Sequence, residues 1–377
     1  MEKTVFPVPP GGRIGIFGGG QLGRMAAMAA ARLGYRCHIF TPDTDSPATQ
    51  VAMTTTIASY DDVQALRHFA NNVDVATFEF ENIPIESIRL VAEQIPVHPS
   101  WKTLEVAQDR VQEKNFFNTI GLQTAPWRRV VNQDTLAQAV VELGRPAILK
   151  TARFGYDGKG QIRIDESTPL EYAWQHMGAE VGVLESVVDF TCELSVIVAR
   201  GGDGAWAAFE PAENRHAHSV LQTSRVPAQI PSHMVLSAVE AGRHAAEVLE
   251  VVGILAVEMF VTREGHLLMN EMAPRPHNSG HWTLDACVTD QFEQFIRAVC
   301  GLPLGSPARY CDAEMLNLLG DDVARWREIL ANPFARLHLY GKDSARSGRK
   351  MGHVTHLKYR TGIDIYGSVL DRYVNVR

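Results

Sequence analysis

The opening apolar positions of the chain predict a strand, a helix and a second strand. Arg13–Gly18 is a short apolar run, and the positions after it form one apolar stripe at helical spacing, at Leu22, Met25, Ala26, Ala29 and Leu33. The stripe ends at Gly34, and Arg36–Thr41 resumes a strand pattern. A strand, a helix and a strand in this order are typical of a doubly wound α/β domain.

Two later apolar stretches, Leu255–Val261 and His266–Met272, predict a β-hairpin with a tight turn at Glu264-Gly265. A two-residue turn would place Glu258 directly opposite Glu271, with their Cβ atoms roughly 5 Å apart, where like charges are destabilising. The pair therefore calls for a cation, and Mg²⁺ binds through one or two carboxylates together with substrate phosphates. An ordinary surface hairpin with two solvated glutamates fits these residues as well, and a three-residue turn would move the glutamates out of register.

Two further acidic residues close a predicted strand, Val73–Glu81. Strand alternation directs Phe78 and Phe80 to one face and Glu79 and Glu81 to the other. Open α/β sheets bind ligands at the carboxyl ends of their strands, and acidic residues are poor strand formers. A ligand-binding role is therefore favoured over a solvated strand end.

A glycine-rich segment, residues 154–160, lies between the predicted strands Pro146–Lys150 and Gln161–Ile164. It is not a P-loop, because no G-K-[ST] opens a helix. Its backbone amides and lysines could still cradle phosphates. A flexible hairpin is the alternative.

The remaining patterns predict a second, α+β part of the chain and a β-rich end. Helices are predicted at Thr103–Thr119, Pro231–Val251 and Asp290–Cys300, strands at Val181–Glu185 and Glu193–Arg200, and a β-rich segment at Tyr310–Arg377. The loop Ala273–Trp282 combines a cation, two histidines and an amide in a Pro/Gly-rich segment. Loops of this kind on a rigid sheet commonly carry function.

Composition and charge narrow the class of protein. The 377 residues, 45% hydrophobic and 21% charged, allow two or three globular domains. The net charge is −7, but residues 325–377 hold eleven Lys or Arg against four Asp or Glu. The acidic remainder would repel a polyanion, so a small phosphorylated ligand is favoured over nucleic acid. Five cysteines without a C-x-x-C pair, and the lack of an apolar leader or membrane-length window, favour a cytoplasmic protein.

Taken in order, these features resemble the ATP-grasp superfamily and, within it, the N5-carboxyaminoimidazole ribonucleotide synthetase family. The motifs that carry the resemblance are Gly18–Gly23, Phe78–Asn82, Gly155–Gln161, Asn270–Trp282 and Lys350–Thr355. It implies an α/β and α+β ATP-grasp fold with three domains. These are an N-terminal Rossmann-like domain at 1–108, an ATP-grasp domain at 109–301 with a mobile lid at about 128–192, and a small β-rich C-terminal domain at 302–377.

The reaction that the resemblance implies is a ligation in de novo purine biosynthesis. Bicarbonate would be joined to the amine of 5-aminoimidazole ribonucleotide, while ATP becomes ADP and phosphate by way of carboxyphosphate. The implied cofactors are ATP and Mg²⁺, and the implied assembly is a homodimer without nucleic-acid or membrane partners.

The resemblance also implies roles for individual residues. ATP would be bound by Arg110, Lys150, Gly155, Tyr156, Asp157, Gly158, Lys159, Gly160, Gln161, Glu185, Ser186, Val187, Val188, Glu193, His216, Asn270 and Glu271, with 185–188 at the adenine and Glu193 at the ribose. Glu258 and Glu271 would be the Mg²⁺ ligands. Bicarbonate or carboxyphosphate would meet Arg275, His277 and Lys350. The ribonucleotide site would consist of Gln21, Leu22, Glu79, Arg153, Tyr156 and Asn278.

Three other functions share parts of this pattern. A related ATP-grasp ligase that uses another acyl phosphate, such as formyl phosphate, would share the glutamate pair. An NAD-dependent dehydrogenase would share only the Gly18–Gly23 turn, with Asp43 near the ribose. This fingerprint is a weak signal by itself, because the same glycines serve any tight strand-to-helix turn. A non-catalytic nucleotide-binding regulator would tend to lose the metal carboxylates, and this chain keeps both.

Overall fold

The computed structural model describes residues 6–155, 158–346 and 348–358. Tyr156 and Asp157, both predicted site residues, and the end of the predicted C-terminal domain lie outside the described residues. Within the described ranges, no helix is long and apolar enough to span a membrane.

The N-terminal part is a parallel four-stranded sheet in the order β3-β2-β1-β4. Its elements are β1 (Arg13–Phe17), α1 (Gln21–Arg32), β2 (Arg36–Thr41), β3 (Thr54–Ile57), α2 (Val63–Ala70), β4 (Val75–Phe78) and α3 (Ile85–Ala92). The predicted strand–helix–strand opening is confirmed. The predicted strand Val73–Glu81 ends earlier, at Phe78, so Glu79 and Glu81 lie in the loop after it.

The predicted helix Thr103–Thr119 is wrong as a single element. The structure has two helices, α4 (Trp101–Ala107) and α5 (Arg110–Thr119). Asp109 begins the second helix because its carboxylate accepts hydrogen bonds from the N–H groups of Val111 and Gln112 at 2.9 and 3.2 Å. The break places Arg110 in the first turn of α5.

A small antiparallel sheet follows, in the order β5-β8-β6-β7. Its elements are β5 (Trp127–Val130), α6 (Gln133–Leu143), β6 (Ala147–Thr151), β7 (Gln161–Ile164), α7 (Leu170–Met177) and β8 (Gly182–Ser186). The two helices and the sheet enclose a separate apolar core that includes Leu136, Leu149 and Leu184. The glycine-rich segment joins β6 to β7, as predicted.

The largest sheet has nine strands in the order β14-β13-β9-β11-β12-β15-β17-β16, with β10 beside β9. Its strands are β9 (Phe190–Arg200), β10 (Trp206–Ala208), β11 (Ala212–Ala217), β12 (Val220–Val226), β13 (Gly253–Thr262), β14 (Leu267–Ala273), β15 (Asp312–Leu319), β16 (Ala335–Leu339) and β17 (Lys350–Lys358). Its helices are α8 (Ser232–Val248), α9 (Thr283–Ala286), α10 (Gln291–Cys300) and α11 (Trp326–Leu330). Because β12 pairs with β15, the C-terminal strands continue this sheet.

The two faces of β9 and β13 have different neighbours. Val196 and Val198 belong to the core that contains α8, whereas Ile197 and Ala199 belong to the core that contains α1 and α10. Strand alternation places Glu193 and Ser195 on the same face as Ile197. This face is thus apolar beneath the helices and becomes polar towards the start of β9.

The hairpin of β13 and β14 pairs Glu258 with Glu271, as predicted, but the predicted two-residue turn is wrong. Val261 pairs with Leu267, and the Thr262 N–H donates to the His266 carbonyl at 2.9 Å, so residues 263–265 form a three-residue turn. Gly265 adopts φ +81°, which suits glycine. A β-bulge between the Glu258 and Met259 pairs then adds one residue, Asn270, to β14 and restores the register of the glutamates.

Candidate active site

The three parts of the fold surround a cavity of about 870 Å³. Its walls come from the glycine turn before α1, the loop after β4, the start of α5, the segment after β6, the hairpin and its following loop, and, near the C-terminal end, Lys342, Arg346 and residues 348–350. Eight Lys or Arg and five Glu side chains line it. The cationic excess suits a phosphorylated ligand.

Glu79 occupies the amino end of α1. Its carboxylate accepts the N–H of Gly23 at 2.7 Å and the N–H of Gly20. A Cβ atom at Gly20 would lie 2.5 Å from Glu79 Oε1, so the glycine admits the carboxylate. Because the Glu79 carboxyl group already accepts the N–H groups at this helix N-terminus, a dinucleotide pyrophosphate has no place there. The glycine fingerprint therefore does not support the dehydrogenase alternative.

Glu258 and Glu271 face each other at the cavity wall, but their carboxyl groups meet different electrostatic surroundings. Burial and the negative charge of Glu271 raise the pKa of Glu258. Burial also opposes ionisation of Glu271, but the charges of Arg110 and Lys150 hold its pKa well below the usual range. Arg110 Nη1 lies 3.0 Å from Glu271 Oε2.

A second cationic arrangement lies between α5 and the small sheet. Glu185 forms ion pairs with two lysines: its Oε1 lies 3.0 Å from Lys114 Nζ, and its Oε2 lies 2.8 Å from Lys150 Nζ. Although burial opposes ionisation, these two ammonium groups lower the pKa of Glu185 to about 2. The predicted adenine contacts at 185–188 are also constrained, since the Ser186 N–H donates to the Pro126 carbonyl at 2.9 Å. This leaves the Ser186 carbonyl and residues 187–188 as the backbone groups for a base.

Glu193 and His216 form an ion pair on neighbouring strands of the large sheet. Burial opposes protonation of His216, but its contact with Glu193 and the charge of Glu258 raise its pKa. The pair lies on the sheet face that carries the Glu258–Glu271 pair, to which it is electrostatically coupled.

Arg275 and His277 project from the loop that follows β14. Glu81 holds one edge of the Arg275 guanidinium, with Nε–Oε1 and Nη2–Oε2 distances of 2.8 and 2.9 Å, and Nη1 donates to the Pro276 carbonyl at 3.1 Å. His277 Nε2 lies 3.5 Å from Glu258 Oε1, and Nδ1 lies 2.8 Å from Ser279 Oγ. Burial and the Arg275 charge lower the pKa of His277 to about 3, so its imidazole is neutral.

The structure brings most of the predicted substrate and catalytic residues into one cavity. The predicted residues that line it are Gln21, Leu22, Glu79, Arg110, Arg153, Gly155, Lys159, Glu258, Glu271, Arg275, His277, Asn278 and Lys350. The predicted residues outside its lining are Lys150, Gly158, Gly160, Gln161, Glu185, Ser186, Val187, Val188, Glu193, His216 and Asn270. The second set belongs to the nucleotide side of the prediction, between the small sheet and the start of β9.

Several charged residues of the site were not among the sequence predictions. Lys114 is fully buried, and Glu113, also buried, accepts the Met272 N–H at 2.6 Å. Both share a helix face with Arg110, so helical spacing could have identified them. Lys342, Arg346 and Arg349 line the cavity beside Lys350. Their only signal in the sequence is the basic character of the C-terminal segment.

Three family models match successive parts of the chain. These are the ribonucleotide synthetase preATP-grasp domain at residues 12–108, the ATP-grasp domain at residues 115–292 and the phosphoribosylaminoimidazole carboxylase C-terminal domain at residues 313–361. Together they follow the order of the sheets along the chain.

Similar proteins of known name and structure span nearly the whole chain. An N5-carboxyaminoimidazole ribonucleotide synthase of Brucella melitensis is 49% identical over 367 residues, which cover 96% of this chain and 100% of the relative. The crystal structure of the ADP complex of purK, an N5-carboxyaminoimidazole ribonucleotide synthetase, has a TM-score of 0.91 and 42% identity, and the match covers 96% of this chain and 95% of that one. The Aspergillus clavatus N5-carboxyaminoimidazole synthase in complex with ADP and 5-aminoimidazole ribonucleotide has a TM-score of 0.87 and 29% identity, over 93% and 94% of the two chains.

Proposed function

Because the chain belongs to the N5-carboxyaminoimidazole ribonucleotide synthase family of ATP-grasp ligases, we propose that its cavity joins bicarbonate to the amine of 5-aminoimidazole ribonucleotide. The enzyme uses ATP, forms a carbon–nitrogen bond and acts in purine biosynthesis. The predicted fold class, an ATP-grasp fold with an N-terminal Rossmann-like domain and a C-terminal domain, is confirmed. The predicted boundaries at 108 and 301, and the lid at about 128–192, remain proposals.

The observation that carries the proposal is the opposed Glu258–Glu271 pair beside the Arg275–His277 loop. Two carboxylates at a cavity wall fit Mg²⁺, which takes one or two carboxylates and substrate phosphates. The Asn270 Oδ1, brought next to the pair by the bulge, is buried without a hydrogen-bond partner among the described residues. Glu258 and Glu271 would hold the ion, which supplies charge neutralisation for phosphate oxygens when bound.

ATP phosphates would meet the cations around Glu271. Arg110 lines the cavity, and Lys150 lies on β6 of the small sheet, close enough to lower the pKa of Glu271. The glycine-rich segment, with Gly155 and Lys159 at the cavity, would cover the phosphates from the opposite side. Glu193 and His216, further along the same sheet face, would bind the nucleoside.

Bicarbonate would bind at the loop after β14. Bicarbonate is a poor electrophile, so ATP would activate it as carboxyphosphate before the amine attacks. Among the described residues, Arg275 donates one hydrogen bond to Glu81 and one to Pro276, while its Nε makes only an ion-pair contact with Glu81, so other N–H groups of the guanidinium would meet the oxyanion. The neutral His277 can donate or accept a hydrogen bond without adding charge, and Lys350 contributes an ammonium group.

The ribonucleotide would occupy the part of the cavity between α1 and the C-terminal segment. Gln21, Leu22, Glu79, Arg153 and Asn278, which line the cavity, would contact it there. Lys342, Arg346 and Arg349 supply the cationic charge that a ribose phosphate requires. Closure of the glycine-rich segment would keep carboxyphosphate from water.

A substrate panel tests this function. We expect ADP release from ATP and Mg²⁺ to depend on both bicarbonate and 5-aminoimidazole ribonucleotide, and chelation of Mg²⁺ by EDTA to abolish it. Robust turnover with glycinamide ribonucleotide and formate instead would favour the alternative ligase and contradict the proposal.

We also propose a homodimer in the cytoplasm. The family resemblance supports the dimer, and five free cysteines, four of them buried, support a reducing compartment. Light scattering of the purified chain tests the assembly, and a monomer at micromolar concentration would contradict it.

A further inference from the structure

The loop that carries His277 is held by one buried side chain at the start of α10. Gln291 is completely buried. Its Oε1 accepts the backbone N–H of His277 at 3.0 Å, and its Nε2 donates to the backbone carbonyl of the same residue at 2.9 Å. The carboxamide thus forms one hydrogen bond in each direction with the backbone of His277, as the backbone of an adjacent β-strand would.

The remaining hydrogen-bonding capacity of this carboxamide also has a partner. Nε2 lies 3.0 Å from His281 Nδ1, so its second hydrogen meets an acceptor nitrogen. A flipped amide would oppose donor to donor and acceptor to acceptor at His277, which fixes the orientation. Burial lowers the pKa of His281 well below its usual value, in agreement with a neutral ring that accepts at Nδ1.

Helix capping does not account for Gln291. The N-cap of α10 is Asp290, whose carboxylate accepts from the N–H groups of Phe292 and Glu293 at 2.8 and 3.0 Å. The Gln291 N–H donates to Thr283 Oγ1 at 3.0 Å, and that hydroxyl donates to the Gly280 carbonyl at 2.7 Å. A Cβ atom at Gly280 would lie 2.6 Å from Gln291 Oε1, so the loop backbone closes directly onto the amide.

We propose that Gln291 is a positioning residue for the carboxylation reaction. It fixes the backbone of His277 and thereby directs the side chains of Arg275, His277 and Asn278 into the cavity. The proposal rests on the proposed function, because it takes this loop as the bicarbonate-binding loop. Gln291 itself is not among the residues that line the cavity. It acts through His277, and a displacement of about 1 Å in a reacting group can cost about 100-fold in rate.

The same helix supplies a matched control. Gln294, one turn further along α10, is also completely buried and holds Gly305 in the same way. Its Oε1 accepts the Gly305 N–H at 2.9 Å, and its Nε2 donates to the Gly305 carbonyl at 2.6 Å. The two glutamines thus share chemistry, helix and burial. They differ in what they hold, because Gly305 does not line the cavity.

The experiment compares Gln291→Leu with Gln294→Leu in the full chain. Both variants lose a two-point hydrogen bond in the interior, and Q291L also loses the contact with His281, so we expect both to melt at a lower temperature than the wild type. Only Q291L should lower kcat/KM for bicarbonate, by about 10-fold to 100-fold, with KM for ATP within about twofold of the wild type. Wild-type kinetics in Q291L, or an equal kinetic loss in both variants, would overturn the proposal.

A second measurement needs no substrate. In protein labelled with ¹⁵N in the histidine rings, the His277 signals are assigned by their loss in His277→Asn. They should shift in Q291L and stay in place in Q294L, and unchanged signals in Q291L would overturn the proposal. This comparison tests whether Gln291 fixes His277 even where the wild type shows no bicarbonate-dependent turnover, a result that would contradict the proposed function and not the contact.

Gln291→Glu and Gln294→Glu provide the same comparison where a leucine variant does not fold. The glutamate side chain has the same length as glutamine and keeps the acceptor oxygen, but it has an oxygen in place of the donating NH₂ group. In Q291E a carboxylate oxygen therefore faces the His277 carbonyl oxygen. A selective kinetic loss in Q291E supports the proposal, and equal losses in both variants or no loss in Q291E overturn it.

Discussion

Four of the five glutamates that line the cavity serve three different electrostatic purposes. Glu79 accepts the N–H groups at a helix N-terminus, Glu81 is a partner for one edge of Arg275, and Glu258 and Glu271 are opposed carboxyl groups that can bind a cation. Of these, only Glu258 and Glu271 lie directly opposite each other, although Glu271 also has an ion pair with Arg110. A metal site is therefore best assigned to the hairpin rather than to the loop after β4.

Replacing one member of this pair tests the metal assignment. In Glu271→Gln the carboxylate charge opposite Glu258 is lost, and Arg110 loses its 3.0 Å ion pair. We expect ATP turnover to fall on the order of 100-fold or more, because charge stabilisation dominates phosphoryl transfer. The measurement is ADP release with all substrates, alongside the circular dichroism melting curve.

The hairpin supplies its own control for that substitution. Glu264→Gln removes a charge from an exposed position in the turn of the same hairpin and should leave turnover unchanged. Near-wild-type turnover in E271Q would count against the metal assignment. A loss of turnover in both variants would point to a general effect of charge.

The glycine turn before α1 gives a prediction for the ribonucleotide side. In Gly20→Ala the new Cβ would lie 2.5 Å from Glu79 Oε1, so the carboxylate must leave its two N–H donors. We expect a loss of about 1–3 kcal/mol in the free energy of unfolding and a higher KM for 5-aminoimidazole ribonucleotide. Urea titration and initial-rate kinetics measure the two effects. Gly202→Ala, where nothing lies within 4 Å of the new atom, is the control.

At the scale of elements, the sequence predicted the hairpin and its glutamate pair but not the way the register arises. The pattern alone cannot distinguish a two-residue turn from a three-residue turn combined with a bulge, because the second deviation cancels the first. The break between α4 and α5 was missed for a related reason. The hydrophobic pattern does not show whether Asp109 lies inside one long helix or at the N-cap of a second helix. Its role as an N-cap becomes clear only in the structure, where the chain changes direction.

The bulge also separates the turn from the carboxylate pair. A substitution in the turn should therefore affect stability more than turnover. Gly265→Ala places a side chain at φ +81°, so we expect a loss of about 1 kcal/mol or more in stability. Turnover should stay close to that of the wild type, because the pairs from Glu258 onward are set beyond the bulge. Thermal melting and ADP release check the two parts. A large loss of turnover at unchanged stability would contradict this account.

At the scale of the molecule, several contacts that build the cavity join distant parts of the chain. Arg110 meets Glu271, Glu81 meets Arg275, and the Arg110 N–H donates to the Ala152 carbonyl at 2.9 Å. Periodicity identifies elements but not which of them approach each other, so Lys342, Arg346 and Arg349 could not be assigned to the site from the pattern. The resemblance to a family supplied the missing long-range information for the other residues.

The continuity of the large sheet leads to a prediction about the C-terminal part. Removing the residues after 310 would leave the backbone of β12 without β15, and would take Ala313 and Met315 from the apolar core that contains α1 and α10. An uncovered strand edge next to an opened core favours aggregation. We therefore expect the chain 1–310 to be insoluble or to melt without cooperativity, with the full chain prepared side by side as the reference. A soluble 1–310 chain with a cooperative melt would contradict this expectation and show that residues 1–310 fold without the C-terminal strands. In that case the loss of Lys342, Arg346, Arg349 and Lys350 from the cavity should still abolish turnover while ATP binding persists.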